Sequence, residues 1–119
     1  MIVLADTSVW IDHWRRRNDR LAHLLETKRL VMHQFVLGEI ALGRIPNRGA
    51  VLADLALLDA PTVAENPEVF ALIDRAPLWG RGIGWVDAHL LASARLDRLR
   101  LWTLDERLAS VAQDLHVAA

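Results

Sequence analysis

The sequence predicts a single α/β domain in which helices pack around a short, mainly parallel sheet. The chain has 119 residues, a length that fits one domain. Hydrophobic residues make up 53% of it, which is enough to form a substantial core. Short apolar runs alternate with longer segments of helical character. That alternation is typical of a parallel sheet covered by helices.

The first strand is predicted at residues 2–5, a wholly apolar run of the kind found in buried parallel sheets. Asp6, Thr7 and Ser8 end this strand and offer side chains that cap a helix over residues 9–17. The pattern then predicts, in order, a helix over 19–27, a strand over 30–32, a helix over 34–43 that ends at Gly43, a loop over 44–49 and a helix over 50–58.

The second half of the chain continues the alternation. Asn66 followed by Pro67 predicts an N-cap and a first helical residue, opening a helix that continues to about residue 78. The glycines at 80, 82 and 84 form a flexible connection between two helices, which argues against a dinucleotide-binding turn. The remaining predicted elements are a helix over 85–96, a strand over 99–103 and a helix over 105–115.

Four acidic residues stand out by their surroundings. Asp6 and Asp105 each follow an apolar strand, and the carboxyl ends of parallel strands meet at the edge where ligands usually bind. Glu39 lies in an apolar helical segment without a polar face, and Asp87 lies near the start of another such helix. An unpaired buried carboxylate costs several kcal/mol, so each of these acids needs a partner.

Local explanations exist for single acids. The role of N-cap is by itself a sufficient explanation for Asp6. A favourable interaction with the helix N-terminus is by itself a sufficient explanation for Asp87. Glu39 is harder to explain locally, because no Arg precedes it within one helical turn. The joint pattern favours a metal site, because converging carboxylates repel one another and Mg²⁺ or Mn²⁺ relieves that repulsion. Such a site can activate water for hydrolysis of a phosphodiester.

Charge and composition narrow the possible functions of the protein further. The net charge is only -1, but setting aside four acids for metal leaves 14 basic residues against 11 acidic ones. All basic residues except Lys28 are arginines, which pair well with phosphate. The absence of Cys excludes disulfides and thiolate metal sites. The first residues lack a basic signal-peptide region and no apolar run is long enough to span a membrane, so a cytoplasmic protein is expected.

Four motifs together resemble a PIN-domain toxin of the VapC family. They are Asp6-Thr7-Ser8 after the first strand, Glu39 within a helix, the segment GWVDAHLL at 84–91 and the segment LWTLDERL at 101–108. Each motif is short, but the set follows the family's order and extends over nearly the whole chain.

The resemblance implies a PIN-like three-layer α/β/α sandwich and Mg²⁺- or Mn²⁺-dependent endoribonuclease activity. It also implies a homodimer that acts on RNA and is inhibited by a VapB-type antitoxin. Its acidic cluster, both catalytic and metal-binding, carries over to Asp6, Glu39, Asp87 and Asp105. Thr7, Ser8 and Thr103 match the polar positions that line the family's site.

Two further features have two interpretations each. Trp10 and Trp14 lie four residues apart and share a helix face, so they belong either to the core or to a groove for the antitoxin. Arg15, Arg16 and Arg17 form either a solvated run or a set of contacts to RNA phosphates.

Two other functions are compatible with the sequence. One is a PIN-type nuclease that acts in RNA processing or on DNA. The other is an inactive PIN-like module that only binds a protein. The four acids argue against the second, because a pure scaffold does not need converging charges.

Overall fold

A three-stranded parallel sheet with strand order β2-β1-β3 lies at the centre of the fold. The computed structural model describes all residues from Met1 to Ala119. Val3 lies opposite Leu30 on one side and opposite Arg100 on the other, and a parallel bridge between Leu101 and Ala118 extends the sheet beyond β3. The strands are β1 (Val3–Ala5), β2 (Leu30–Val31) and β3 (Arg100–Trp102).

Seven helices surround this sheet and confirm the predicted α/β fold. Their order along the chain, alternating with short strands, agrees with the sequence prediction apart from shifts of a few residues at the ends. The longest has 13 residues, and none combines the length and apolar character needed to cross a bilayer. The helices are α1 (Thr7–Arg15), α2 (Asp19–Glu26), α3 (Gln34–Leu42), α4 (Arg48–Leu55), α5 (Asn66–Arg75), α6 (Trp85–Asp97) and α7 (Glu106–Asp114).

The core forms where the apolar runs meet. All three residues of β1 are buried, as expected for a central parallel strand covered by helices. The stretch of α6 from Ala88 to Ala94 is buried on every side, which explains why its sequence shows no polar stripe. Consequently α6, which carries Asp87 in its first turn, is held firmly against the sheet.

The start of α5 differs from the prediction by one residue. Asn66 is the first helical residue rather than the N-cap, and Glu65 occupies the cap position. The backbone N–H of Glu65 donates to the Glu68 carboxylate over 3.1 Å, which satisfies a donor that the helix itself leaves free. The helix ends at Arg75, earlier than predicted. Pro77 explains this end, because proline has no backbone N–H with which to continue the helical hydrogen bonds.

Candidate active site

Asp6 anchors the candidate site at the carboxyl end of β1. It is the N-cap of α1 and is only 7% exposed. Its Oδ1 accepts hydrogen bonds from the backbone N–H of Ser8, over 3.0 Å, and from the Ser8 hydroxyl. Its Oδ2 accepts from the Thr103 hydroxyl over 2.6 Å. The carboxylate is therefore fixed by three donors, as a buried charge requires.

Ser8 and Thr103 also tie together the two segments that follow β1 and β3. The Ser8 Oγ accepts from the backbone N–H of Leu104 over 3.0 Å. The Thr103 Oγ1 accepts from the backbone N–H of Asp105 over 3.0 Å. Each hydroxyl thus donates to Asp6 and accepts from the segment after β3, so the position of Asp105 depends on the position of Asp6.

Asp105 and Glu39 approach the same edge of the sheet from different helices. The Asp105 Oδ1 caps α7 by accepting from the N–H groups of Arg107, over 2.9 Å, and Leu108, over 3.1 Å. The Glu39 Oε1 accepts from the Thr7 hydroxyl over 2.8 Å, which joins α3 to the first turn of α1. Both acids therefore keep one carboxylate oxygen that accepts no protein hydrogen bond.

Asp87 experiences the charges of two other acids. Burial raises the pKa of its carboxyl, and the negative charges of Asp6 and Asp105 raise it further. The hydrogen bond that its Oδ2 accepts from the Gly84 N–H, over 3.0 Å, acts in the opposite direction on the pKa. The Oδ1 atom of Asp87 has no protein donor. These effects place Asp6, Asp87 and Asp105 in one electrostatic neighbourhood.

None of the four acids has a basic partner. The salt bridges of the chain join Arg16 to Asp12, Arg17 to Asp19 and Arg81 to Asp114. Carboxylate oxygens without a cation are the ligands that Mg²⁺ and Mn²⁺ prefer, so this donor set fits a divalent ion. No three acidic or histidine side chains form a ready-made cage. Mg²⁺ does not require one, because it typically retains several waters and uses one or two carboxylates.

Comparisons with known proteins identify the family of this chain. The PIN domain family matches residues 3–114. The chain is 45% identical over 118 residues to Ribonuclease VapC32 from two strains of Mycobacterium tuberculosis, an alignment that covers 98% of this chain and 95% of those proteins. The chain belongs to the VapC family of PIN-domain proteins. The family resemblance predicted from the sequence motifs is thereby confirmed.

A solved structure supports the PIN fold independently of sequence. The crystal structure of PAE2754 from Pyrobaculum aerophilum matches this VapC-family chain with a TM-score of 0.69 at 17% sequence identity. The match covers 100% of this chain and 88% of PAE2754. At that identity the comparison concerns the fold alone. Together with the PIN family match, it confirms the predicted PIN-like sandwich.

Two histidines, His33 and His89, are buried, and no sequence motif distinguishes the first of them. His33 caps α3 by accepting from the Phe35 N–H over 3.0 Å. Burial lowers the pKa of His33 to about 4, with a further contribution from nearby His89. Burial also lowers the pKa of His89, which packs edge-on against Phe35 and Trp85. Both imidazoles are therefore neutral at pH 7, and His89 is a packing residue among aromatic rings.

The two tryptophans of α1 have separate environments. Trp10 is 1% exposed and belongs to the core, which is the first of its two predicted interpretations, and it does not line a groove for the antitoxin. Trp14 is half-buried and lines a cleft of about 450 Å³ together with Ile11, Ile40 and Ile45. Glu39 lies on the wall of the same cleft, so the cleft extends from Trp14 to one of the four acids.

The three arginines at the end of α1 differ in whether they have an acidic partner. All are exposed, but Arg16 pairs with Asp12 and Arg17 pairs with Asp19. Arg15 has no acidic partner and borders the cleft that contains Glu39. Arg44, in the segment after α3, borders the cleft as well. Arg15 and Arg44 are therefore cations without an acidic partner beside Glu39.

Proposed function

We propose that this protein is a metal-dependent endoribonuclease that acts as the toxin of a type II toxin–antitoxin pair. It would hydrolyse RNA phosphodiesters with Asp6, Glu39, Asp87 and Asp105 as its acidic cluster and Mg²⁺ or Mn²⁺ as its cofactor. The proposal joins the VapC family membership to the chemistry of the residues at the carboxyl edge of the sheet.

One observation carries the proposal. All four acids lie without a basic partner, and Glu39, Asp87 and Asp105 each keep one oxygen that accepts no protein hydrogen bond. The charges of neighbouring carboxylates repel one another, which opposes folding and contributes to the raised pKa of Asp87. A cluster that is unfavourable for folding and suited to a hard cation is typical of a functional site.

Each residue of the cluster would have its own task. Asp6 is held by Ser8 and Thr103 and would be the fixed ligand. Asp87 and Asp105 would complete the ligand set, and Thr7 would orient Glu39 toward it. When bound, a divalent ion supplies Lewis acidity, which lowers the pKa of water and neutralises charge at phosphorus. Hydrolysis forms one bond from water oxygen to phosphorus and breaks one phosphorus–oxygen ester bond.

Family membership supports three further parts of the proposal. A VapB-type antitoxin would bind the protein and restrain its activity, two copies of the chain would form a homodimer, and the pair would act in the cytoplasm. The cleft that leads from Trp14 to Glu39 is the surface we propose for the antitoxin. A basic side chain of the antitoxin would meet the unpaired acids at its end.

An RNA cleavage assay tests the activity. Purified protein should cut single-stranded RNA in the presence of Mn²⁺ or Mg²⁺ and should stop when a chelator is added. Asp54→Asn is a suitable control variant, because Asp54 is an exposed acid of α4 whose carboxylate makes no hydrogen bond or salt bridge. It should cleave as the wild type does, whereas Asp6→Asn should not.

The other functions considered predict different results. Cleavage of DNA with RNA left intact would identify a nuclease that acts on DNA. Failure to cleave either polymer with any divalent ion, by protein that is folded, would identify an inactive binding module.

A further inference from the structure

Three helices end in the same kind of turn before they enter the sheet. They are α2, α6 and α7, which lead into β2, β3 and the bridge at Ala118. In each turn one residue has left-handed backbone: Lys28 with φ 57°, Arg98 with φ 54° and His116 with φ 60°. The next residue in each case donates its N–H to a carbonyl in the last turn of the helix: Arg29 to Leu24 over 2.9 Å, Leu99 to Ala94 over 2.8 Å and Val117 to Ala112 over 2.9 Å.

Glycine is the residue that such a turn normally favours, because left-handed backbone crowds a Cβ atom. In this chain the three left-handed positions are occupied by a lysine, an arginine and a histidine. The helix dipole accounts for a cation at the end of one helix. It does not account for Arg29, which immediately precedes β2, or for Arg100, which is the first residue of β3.

Sheet topology places these residues at one edge of the sheet. The N–H of Val3 donates to the carbonyl of Arg29, and Val3 also lies opposite Arg100. Arg29 and Arg100 therefore flank β1 at nearly the same level. Neighbouring strands are about 4.8 Å apart, so four neighbouring chain segments form an edge about 14 Å long. We call Lys28, Arg29, Arg98, Arg100 and His116 the basic edge.

The side chains of the basic edge have no acidic partners. All five residues are exposed, and none takes part in a salt bridge. Arg98, Arg100 and His116 line a single cleft of about 340 Å³ that has no acidic residue in its wall. Arg100 donates to the His116 carbonyl over 2.8 Å, which fixes one arginine within the cleft.

The two edges of the sheet thus have opposite charge. Because the strands are parallel, the basic edge lies at their amino ends, while Asp6 and Asp105 lie beyond their carboxyl ends. We propose that the basic edge binds the phosphodiester backbone of RNA at a distance from the acidic cluster. This inference rests on the proposed function. The basic edge would supply affinity for RNA that the acidic cluster cannot provide, since the cluster repels phosphate.

RNA binding without cleavage provides the test. A fluorescent single-stranded RNA of about 30 nucleotides would be titrated with protein in chelator, over a range of salt concentrations, and binding followed by anisotropy. Removal of one cation that binds a phosphate of single-stranded nucleic acid lowers the slope of log K against log salt by about 0.7. We expect Arg98→Asn to weaken binding about fivefold at about 0.1 M salt, and Lys28→Asn with Arg98→Asn to weaken it about 25-fold.

The substitutions are chosen to preserve the turns. Asn adopts left-handed backbone more readily than most residues, so the variants should fold, and their melting temperatures would be recorded. Arg98→Lys keeps the charge and should retain most of the affinity. Arg75→Gln removes an exposed, unpaired arginine of α5 that lies outside the basic edge, and should leave the affinity unchanged.

Two results would overturn the basic edge: wild-type affinity in the Lys28→Asn, Arg98→Asn double variant, or an equal loss of affinity in Arg75→Gln. The same proteins would be assayed for cleavage of the same RNA with Mn²⁺. Wild-type protein that binds RNA through the basic edge and never cleaves it would refute the proposed nuclease while the basic edge stands. If the protein cleaves RNA but its affinity for RNA is unaffected by substitutions in the basic edge, only the inference about the basic edge would be refuted.

Discussion

The hydroxyl of Thr103, just beyond β3, donates to the carboxylate of Asp6, just beyond β1, over 2.6 Å. The two residues are 97 positions apart in sequence and meet because β1 and β3 are adjacent parallel strands. The same hydroxyl accepts from the N–H of Asp105. One buried threonine therefore holds two of the four acids in place.

Replacing that hydroxyl should destabilise the fold. Thr103→Val keeps the shape of the side chain but removes the donor to Asp6 and the acceptor for the Asp105 N–H. Leaving a buried polar group unsatisfied costs about 1–3 kcal/mol, so urea unfolding should show a decrease in that range. Thr62→Val is the matched control, since Thr62 is exposed and its hydroxyl makes no hydrogen bond. Equal effects of the two substitutions would contradict this role of Thr103.

Divalent metal should stabilise the folded protein. An ion that binds only the folded state adds RT ln(1 + [L]/Kd), about 2.7 kcal/mol when the ion exceeds Kd a hundredfold. The melting temperature in millimolar Mn²⁺ should therefore exceed that in chelator. Asp6→Asn should reduce or abolish the difference, because it replaces the carboxylate that we propose as the fixed ligand. An equal rise in wild type and Asp6→Asn would show that the ion binds elsewhere.

Asp87→Asn should affect activity and stability in opposite directions. Removal of a group that only orients a metal ligand costs about 10- to 100-fold, so removal of a ligand should lower RNA cleavage by at least about a hundredfold.

The stability effect of Asp87→Asn follows from the raised pKa of Asp87. A raised pKa in the folded state gives stability at low pH that is lost as the pH rises through that pKa. In chelator at neutral pH the variant should therefore unfold at higher urea than the wild type, and the difference should shrink as the pH falls toward the carboxyl range. A variant less stable than wild type in chelator at neutral pH would argue against charge repulsion at this site.

His33 should make the protein sensitive to acid. Its pKa is lowered from 6.5 to about 4, so its contribution to stability is complete above pH 6.5 and is lost as the pH falls from 6.5 to about 4. A shift of that size corresponds to at most about 3 kcal/mol. His33→Asn retains a side chain that can cap α3 and should flatten the decrease across this interval. His23→Asn, at an exposed position of α2, serves as the control. A wild-type slope in His33→Asn would assign the acid sensitivity to another group.

Trp14→Ala should weaken antitoxin binding by about thirtyfold, because aromatic anchors at interfaces typically contribute about 2 kcal/mol or more. Trp79→Ala, which removes a 67% exposed ring outside the cleft, should not. Affinity would be measured by titration calorimetry and folding by melting temperature. Unchanged affinity in a normally folded Trp14→Ala protein would eliminate this cleft as the antitoxin surface.

Much of the architecture follows from local sequence. The apolar runs at β1 and β3 predict buried strands, and the acids that follow them cap α1 and α7 as a helix start requires. These features depend on neighbours within a few residues, so a single sequence contains the information. The order of Asp6, Glu39, Asp87 and Asp105 among short motifs is likewise sufficient to indicate the VapC family.

Tertiary structure alone decided which side chains meet and how deeply they lie. Helical spacing places Trp10 and Trp14 on one face, yet Trp10 is buried and Trp14 lines a cleft, because depth depends on what packs over each turn. The Thr103 bond to Asp6 and the placement of Arg29 and Arg100 on either side of β1 depend on strand order. Strand order is set by contacts between distant segments, and a local pattern contains no record of them.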